Sequence, residues 1–421
     1  MKKTLIAVAA AAALTATSAF AEITFGAWLR VLASPVASTG EDIVAGVENS
    51  WGWGARTARI NINGTSEDGN AGFVMAVHND FEDGIAQGDD AYLWVKPIDI
   101  VKVSVGKFDS PTNGLRGDFC YGSWNWLRPQ NWEYDDEGLT FDGVKHAGLL
   151  VEADPIEGLH IFANVPLSAK YASAEETYRN AQVGFGYAIE GVGKLKAQWM
   201  GEYSYTRKGP ETRYHFDAKT GLGKEDDEPV YTGKKDKDAT TGTIGVAFDL
   251  TAVENLYVTV GARFGIADKD TADGAKYLKM AFTAGASYQL SDAMKFSVSG
   301  GYKQYQKKVL ADNNDSRFFV GGGVDYALMD GLNLAADVRY MNLGYGKAGK
   351  DGAVAFLVGV NKSVSSNGSL GIGFQGATNG CGLVAGDKAG LISGKSYTAG
   401  EADGDKDQFV WAIPVSVSVW F

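Results

Sequence analysis

Cysteine is almost absent: Cys120 and Cys381 are the two thiols in a chain of 421 residues. So few thiols exclude a disulfide framework as what holds the fold together. Long apolar runs are missing as well. The stretch from Leu5 to Leu14 is too short to span a bilayer as a helix, and nothing later reaches the roughly 18 to 20 uninterrupted apolar residues a spanning helix needs. Basic charge is scarce. The formal charge of −12 falls to −14 without Lys2 and Lys3, which argues against a nucleic-acid partner, because phosphate binding needs a basic face. Four histidines, His78, His146, His160 and His215, lie scattered without metal-ligand spacing, and no nucleophile–base set is visible. Neither a metal, a cofactor nor an enzyme activity is expected. Gly371 to Gly376 spells G-x-G-x-x-G, but the motif lies within a strand pattern and no helix follows, so the dinucleotide context is missing. No Pro- or Ser-rich linker interrupts the chain.

What is present begins with an export signal. Lys2 and Lys3 precede the apolar run, and Ala19-Phe20-Ala21 forms an A-x-A cleavage site, so residues 1–21 read as a signal peptide cut at Ala21/Glu22. Residues 22–421 read as one domain of unbroken strand-and-turn texture. Its last stretch shows the pattern most plainly: Phe409, Trp411, Ile413, Val415, Val417, Val419 and Phe421 alternate with residues that include Ser416 and Ser418. This segment resembles the closing strand of bacterial outer-membrane β-barrels, in which a terminal aromatic residue, here Phe421, belongs to the assembly signal. A buried strand of a soluble β-sandwich is the alternative for this stretch alone.

The same alternation recurs along the chain. Leu195, Ala197, Trp199, Gly201, Tyr203 and Tyr205 oppose Lys194, Lys196, Gln198, Met200, Glu202 and Ser204, and the segments 23–31, 57–62 and 278–290 behave alike. Short links at 66–69, 97–99, 154–158, 190–193, 251–255, 291–294, 329–331 and 365–368 alternate with longer ones at 34–51, 79–87, 109–138, 167–176, 207–237, 267–274, 307–315, 344–351 and 377–407. Strict alternation of turns and loops is what a transmembrane up-and-down barrel requires. It predicts an all-β, antiparallel barrel of eighteen strands, with sixteen as the alternative. Outward aromatics gather near strand ends: Tyr205, Phe264, Tyr302 and Tyr340 toward the loops, Tyr187, Tyr288, Tyr326 and Phe421 toward the turns, as in an interfacial girdle.

On the opposite face the alternation assigns twelve basic residues: Arg30, Arg59, Lys96, Lys102, Lys194, Lys196, Arg263, Lys279, Lys295, Lys303, Arg317 and Arg339. Five acidic residues join them: Glu152, Glu202, Asp249, Asp325 and Asp337. A net positive wall inside an acidic chain raises the local concentration of anions. Snorkelling to headgroups and pairing with loop carboxylates are the competing roles for any one of these charges.

The loop at 109–138 is long and aromatic, carrying Phe119, Tyr121, Trp124, Trp126, Trp132 and Tyr134. A segment so rich in aromatic surface must bury it. Here the chain resembles the bacterial porin family, in which the loop after the fifth strand folds into the barrel and narrows the channel. The resemblance implies that Asp118, Glu133, Asp135, Asp136 and Glu137, with Arg128 beside them, form a constriction facing Arg30, Arg59 and Lys102 on the wall. It further implies a water-filled channel for passive diffusion of small hydrophilic solutes and ions, in the outer membrane of a diderm bacterium. Its implied partners are outer-membrane lipid, periplasmic chaperones and the barrel-assembly machinery, with a homotrimer as the oligomer and a monomer as the alternative. Trp124 and Trp126 keep a sugar-specific channel open as a second reading, although loop anchoring is the simpler role. A surface adhesin, using the acidic loops 207–237 and 377–407, is the third. Asp403, Asp405 and Asp407 fit a solvated acidic loop better than a cation site. Cys120 and Cys381 fall in loops at the same end, where an oxidising compartment permits a bond between them.

Overall fold

The computed structural model describes residues 22–38, 43–48, 56–79, 85–108, 147–167, 174–205, 214–216, 223–225, 238–267, 278–305, 316–342, 353–378, 384–385, 389–390 and 409–421. Its first nine barrel strands are β1 (Glu22–Ser38), β2 (Arg56–Thr65), β3 (Ala71–Asn79), β4 (Ile85–Ile98), β5 (Val101–Lys107), β6 (Gly148–Ile156), β7 (Leu159–Pro166), β8 (Gln182–Ile189) and β9 (Gly193–Tyr205). The remaining nine are β10 (Asp238–Leu250), β11 (Leu256–Ala267), β12 (Leu278–Ser291), β13 (Met294–Tyr305), β14 (Ser316–Met329), β15 (Leu332–Met341), β16 (Ala353–Ser365), β17 (Gly368–Thr378) and β18 (Phe409–Trp420). Each strand pairs antiparallel with the next. β18 then pairs antiparallel with β1, so the sheet closes on itself with eighteen strands. The sixteen-strand alternative falls.

At the seam the ladder continues to the last residue. Phe421 N–H donates to Ala27 O at 2.7 Å, Ala27 N–H donates to Phe421 O at 3.0 Å, and Trp420 N–H donates to Asn367 O at 2.9 Å. The Phe421 side chain stays outside, 81% exposed. All eight expected turns are found, among them Asp330-Gly331, where Gly331 takes φ 66°. A register shift between Ala327 and Met329 accompanies it, so the left-handed residue fits a bulged hairpin turn that only glycine adopts without strain. The β2–β3 turn is tied by Asp68, whose Oδ1 accepts from Ser66 Oγ at 2.6 Å and from the Asn70 N–H at 3.0 Å. The Ser66 bond, with the Asn70 bonds behind it, holds this exposed carboxyl below its usual range.

Several expected loops are shorter than the alternation suggested. β1 runs on to Ser38 and pairs there with an additional strand, Ile43–Glu48, inside the segment expected as loop 34–51. Ile85, Ala86 and Gln87 pair with Asn79, His78 and Val77, so little of loop 79–87 remains. A six-residue helix, α1 (Ala174–Arg179), begins within 167–176, and short antiparallel pairs join Tyr214–Phe216 to Gly223–Glu225 and Val384–Ala385 to Ala389–Gly390. Proline bears on the first of these, because Pro35 lies inside β1 rather than at its end. Pro35, Pro97 and Pro155 lie in the register shifts Ala33/Val36, Val95/Ile98 and Ala153/Ile156, where a missing N–H breaks no ladder bond. Pro414 falls in the same seam gap as Pro35, between the pairs Ala33–Val415 and Val36–Ile413. A proline thus marks a bulge in these strands rather than their end.

The distribution of polarity is inverted relative to a water-soluble protein. On β10, Ile244 and Val246 are each 43% exposed, whereas Asp249 between apolar neighbours is buried. Val260, Phe264, Phe282, Phe296, Val298, Val320, Val338, Val358 and Ile372 continue the exposed apolar row around the cylinder. Lys196, Gln198, Thr259, Arg263, Ser287, Ser297, Lys303 and Asp337 are buried on the other face. Glycines seat aromatic rings against the sheet: a Cβ at Gly376 would lie 2.6 Å from Cζ of Phe409. Among the described residues no helix is long and apolar enough to cross a membrane. A closed barrel needs none. If the outer row meets lipid, Val298→Arg, near the middle of β13, should destabilise the refolded protein by roughly 2–4 kcal/mol in denaturant titration in lipid vesicles. Val298→Leu should leave it unchanged.

Candidate functional site: the inner wall

The inner face is built by the residues that alternate with the exposed apolar row, and cross-strand register decides which of them meet. On β2, Arg59 Nη2 lies 3.5 Å from Asp90 Oδ2 of β4, and its Nε donates to Asn61 Oδ1 at 2.7 Å. On β5, Lys102 Nζ lies 3.2 Å from Glu152 Oε2 of β6. Glu152 Oε1 is 3.7 Å from His160 Nε2 on β7, and His160 Nδ1 is 2.9 Å from Asp154 Oδ1. On β9, Lys196 pairs with Asp249 of β10, and Thr259 Oγ1 of β11 donates to Asp249 Oδ1 at 2.8 Å. Arg263 is buried and its Nη2 donates to Thr243 Oγ1 at 3.1 Å. Apart from the Arg59–Asn61 bond within β2, each of these links joins neighbouring or next-neighbour strands across the ladder.

Pairing therefore offsets part of the positive wall. Asp90 escaped the acidic count, although it shares a face with Tyr92 and Trp94 two and four residues on. His160 and Asp154 were likewise not grouped with Glu152, because the distance between them in sequence hides a contact that the β6–β7 hairpin creates. Lys96 is exposed at the turn end of β4. Arg30, Glu202, Arg317 and Arg339 are carried by β1, β9, β14 and β15 at the expected inward register, opposite Ser418, Thr241, Lys303 and Gly321 respectively. Their side chains lie outside the described residues, as do Asp118, Cys120, Trp124, Trp126, Arg128, Trp132, Glu133, Asp135, Asp136, Glu137 and Cys381.

One patch of the wall is apolar. Phe108, Leu150 and Phe162 are fully buried with Ala247, and Tyr92 packs on them with its ring centroid 5.0 Å from that of Phe108. Leu150 and Phe162 face inward with Glu152 and Asn164, and a Cβ on Gly184 would lie 2.7 Å from Cε1 of Phe162, so this ring lies over β8. Sequence alternation gave no sign of it, because an inward phenylalanine looks the same as a misregistered outward one. The loop 109–138 departs from Phe108, at the edge of this patch.

Eighteen antiparallel strands, short turns at one end, longer connections at the other, an apolar exterior and a polar lumen together define a porin-like transmembrane β-barrel. Among solved structures the chain is similar to the trimer form of OmpT, an outer membrane protein of Vibrio cholerae, at 12% identity and a TM-score of 0.48, covering 95% of this chain and 99% of that one. It is similar also to Salmonella typhi OmpF in complex with daunomycin, at 9% identity and a TM-score of 0.48, over 95% and 97% of the two chains. A mutant of the Rh. blastica porin aligns at 16% identity and a TM-score of 0.42, over 95% and 100%. No family model matches the chain, and no curated protein matches it. The barrel stands on its own closed register.

The pair Lys196–Asp249 is the most enclosed of the ion pairs described, with side chains 4% and 9% exposed. Removing one partner strands the other away from water. Lys196→Met should destabilise the barrel by about 3–5 kcal/mol in the same vesicle titration, and adding Asp249→Leu should restore most of the loss.

Proposed function

We propose that this protein is an outer-membrane porin, exported by cleavage at Ala21/Glu22, whose lumen is a water-filled path for passive diffusion of small hydrophilic solutes and ions. The observation that carries the reading is the inverted polarity: ionised and hydrogen-bonding side chains line the inside of a closed cylinder whose outside is apolar. Such a lumen takes up water, and it selects by charge and width rather than by chemistry. No catalytic step is assigned to it. The loop 109–138 narrows the passage in this reading. Support comes from its root, since Phe108 turns inward into the apolar patch with Leu150 and Phe162 rather than outward to solvent or lipid. Outer-membrane lipid, periplasmic chaperones and the barrel-assembly machinery are its partners, and a homotrimer is its oligomer.

Planar-bilayer recording of the refolded protein tests this. Ohmic single-channel steps are expected, and Lys96→Glu should shift the reversal potential in a salt gradient toward cations. A wild-type barrel that inserts and passes no current would contradict the proposal.

A further inference from the structure

The turn end of β4 carries an arrangement that general diffusion does not require. Trp94 points inward opposite Gly72 and Ser104. A Cβ on Gly72 would fall 2.5 Å from Cζ2 and 2.6 Å from Cε2 of Trp94, so the indole packs on the bare backbone of β3. It is only half-buried, and its exposed part is open to the lumen. Two ammonium groups stand over it: Lys96 Nζ at 5.8 Å and Lys102 Nζ at 5.9 Å from a ring centroid. Lys102 is also 6.0 Å from the Tyr92 ring. Glu152 is the counter-charge at hand, 3.2 Å from Lys102. It offsets one of the two cations. An exposed indole beside two ammonium groups, of which Lys102 is paired with Glu152 among the described residues, is complementary to a flat ring that carries one negative charge.

On the premise that the lumen is solvated, as the porin reading holds, we infer that Trp94, Lys96 and Lys102 form a binding subsite for small aromatic monoanions. The solute's ring stacks on the exposed part of the Trp94 indole. Its carboxylate lies between Lys96 and Lys102 and competes with Glu152 for the latter. Two consequences separate this from mere packing of a tryptophan on a wall. Both the ring and the charge of the ligand must count, and removing the competing carboxylate must strengthen binding.

Equilibrium dialysis of 2-naphthoate against the full-length protein in detergent micelles reads the subsite without reference to current. Saturable binding is expected, weakened at least about fivefold by Trp94→Ala and by Lys96→Gln, and largely kept by Trp94→Phe. Glu152→Gln should bind more tightly than the wild type, a gain that a folding defect cannot produce. Cyclohexanecarboxylate and 2-naphthalenemethanol should each bind at least about fivefold more weakly than 2-naphthoate. No saturable binding by the wild type, or equal affinity in Trp94→Ala, overturns the inference. Binding without conductance in bilayers would leave the subsite standing and remove the porin reading. Conductance without binding would do the reverse.

Discussion

A peptide group that enters hydrocarbon unpaired loses several kcal/mol of hydrogen bonding, and a sheet has two edges until its last strand meets its first. The contact between β18 and β1 is therefore the interaction on which the rest depends. It runs from Trp28–Trp420 to Ser38–Trp411 and is extended by the paired hydrogen bonds between Ala27 and Phe421. The one irregularity in it, the gap around Pro35 and Pro414, places two residues with no N–H where a ladder bond is already absent. Closure then forces the sorting of side chains. With period two along every strand, one row must face lipid and the other the lumen, and a slip of one residue would exchange them.

Closure also sets what can meet inside. Residues on adjacent strands become neighbours irrespective of distance along the chain, which is how Lys196 comes to Asp249 and Arg59 to Asp90. Such pairs restrain the inner wall. Where the wall instead carries Phe108, Leu150 and Phe162, it gives the following loop an apolar place to start. The wall is thus uneven along its height: on β5 to β7 the apolar patch lies toward the loop end, and the Lys102–Glu152–His160 cluster lies toward the turn end beside Trp94 and Lys96.

The eighteen strands were legible in the sequence because lipid punishes a polar residue on the outer row at every strand, so the alternation survives in segments such as 195–205 and 278–290. Turns were legible for a related reason: two- to five-residue links demand glycine, aspartate or asparagine, as at Asp330-Gly331. Loop lengths were less so. Ile43–Glu48 pairs with the far end of β1, and Pro35 looks like a break although the strand bulges around it. Partnerships on the wall were least legible. The charge list at the turn end of β4 and β5 was readable, but Asp90, Asp154 and His160 found their places only through register. Tyr92 and Trp94 gave no signal in the sequence, because an aromatic residue on a strand marks a lipid-facing and a lumen-facing position alike.

The central claim is that one face of each strand meets water inside and the other meets lipid outside. Single cysteines along β2, in a background with Cys120→Ser and Cys381→Ser, can be challenged with a membrane-impermeant maleimide in vesicles containing the inserted barrel. Labelling of Asn61→Cys and Asn63→Cys is expected, with protection of Ile60→Cys and Ile62→Cys. Uniform labelling of all four, or protection of the asparagine positions with labelling of the isoleucine positions, would contradict it.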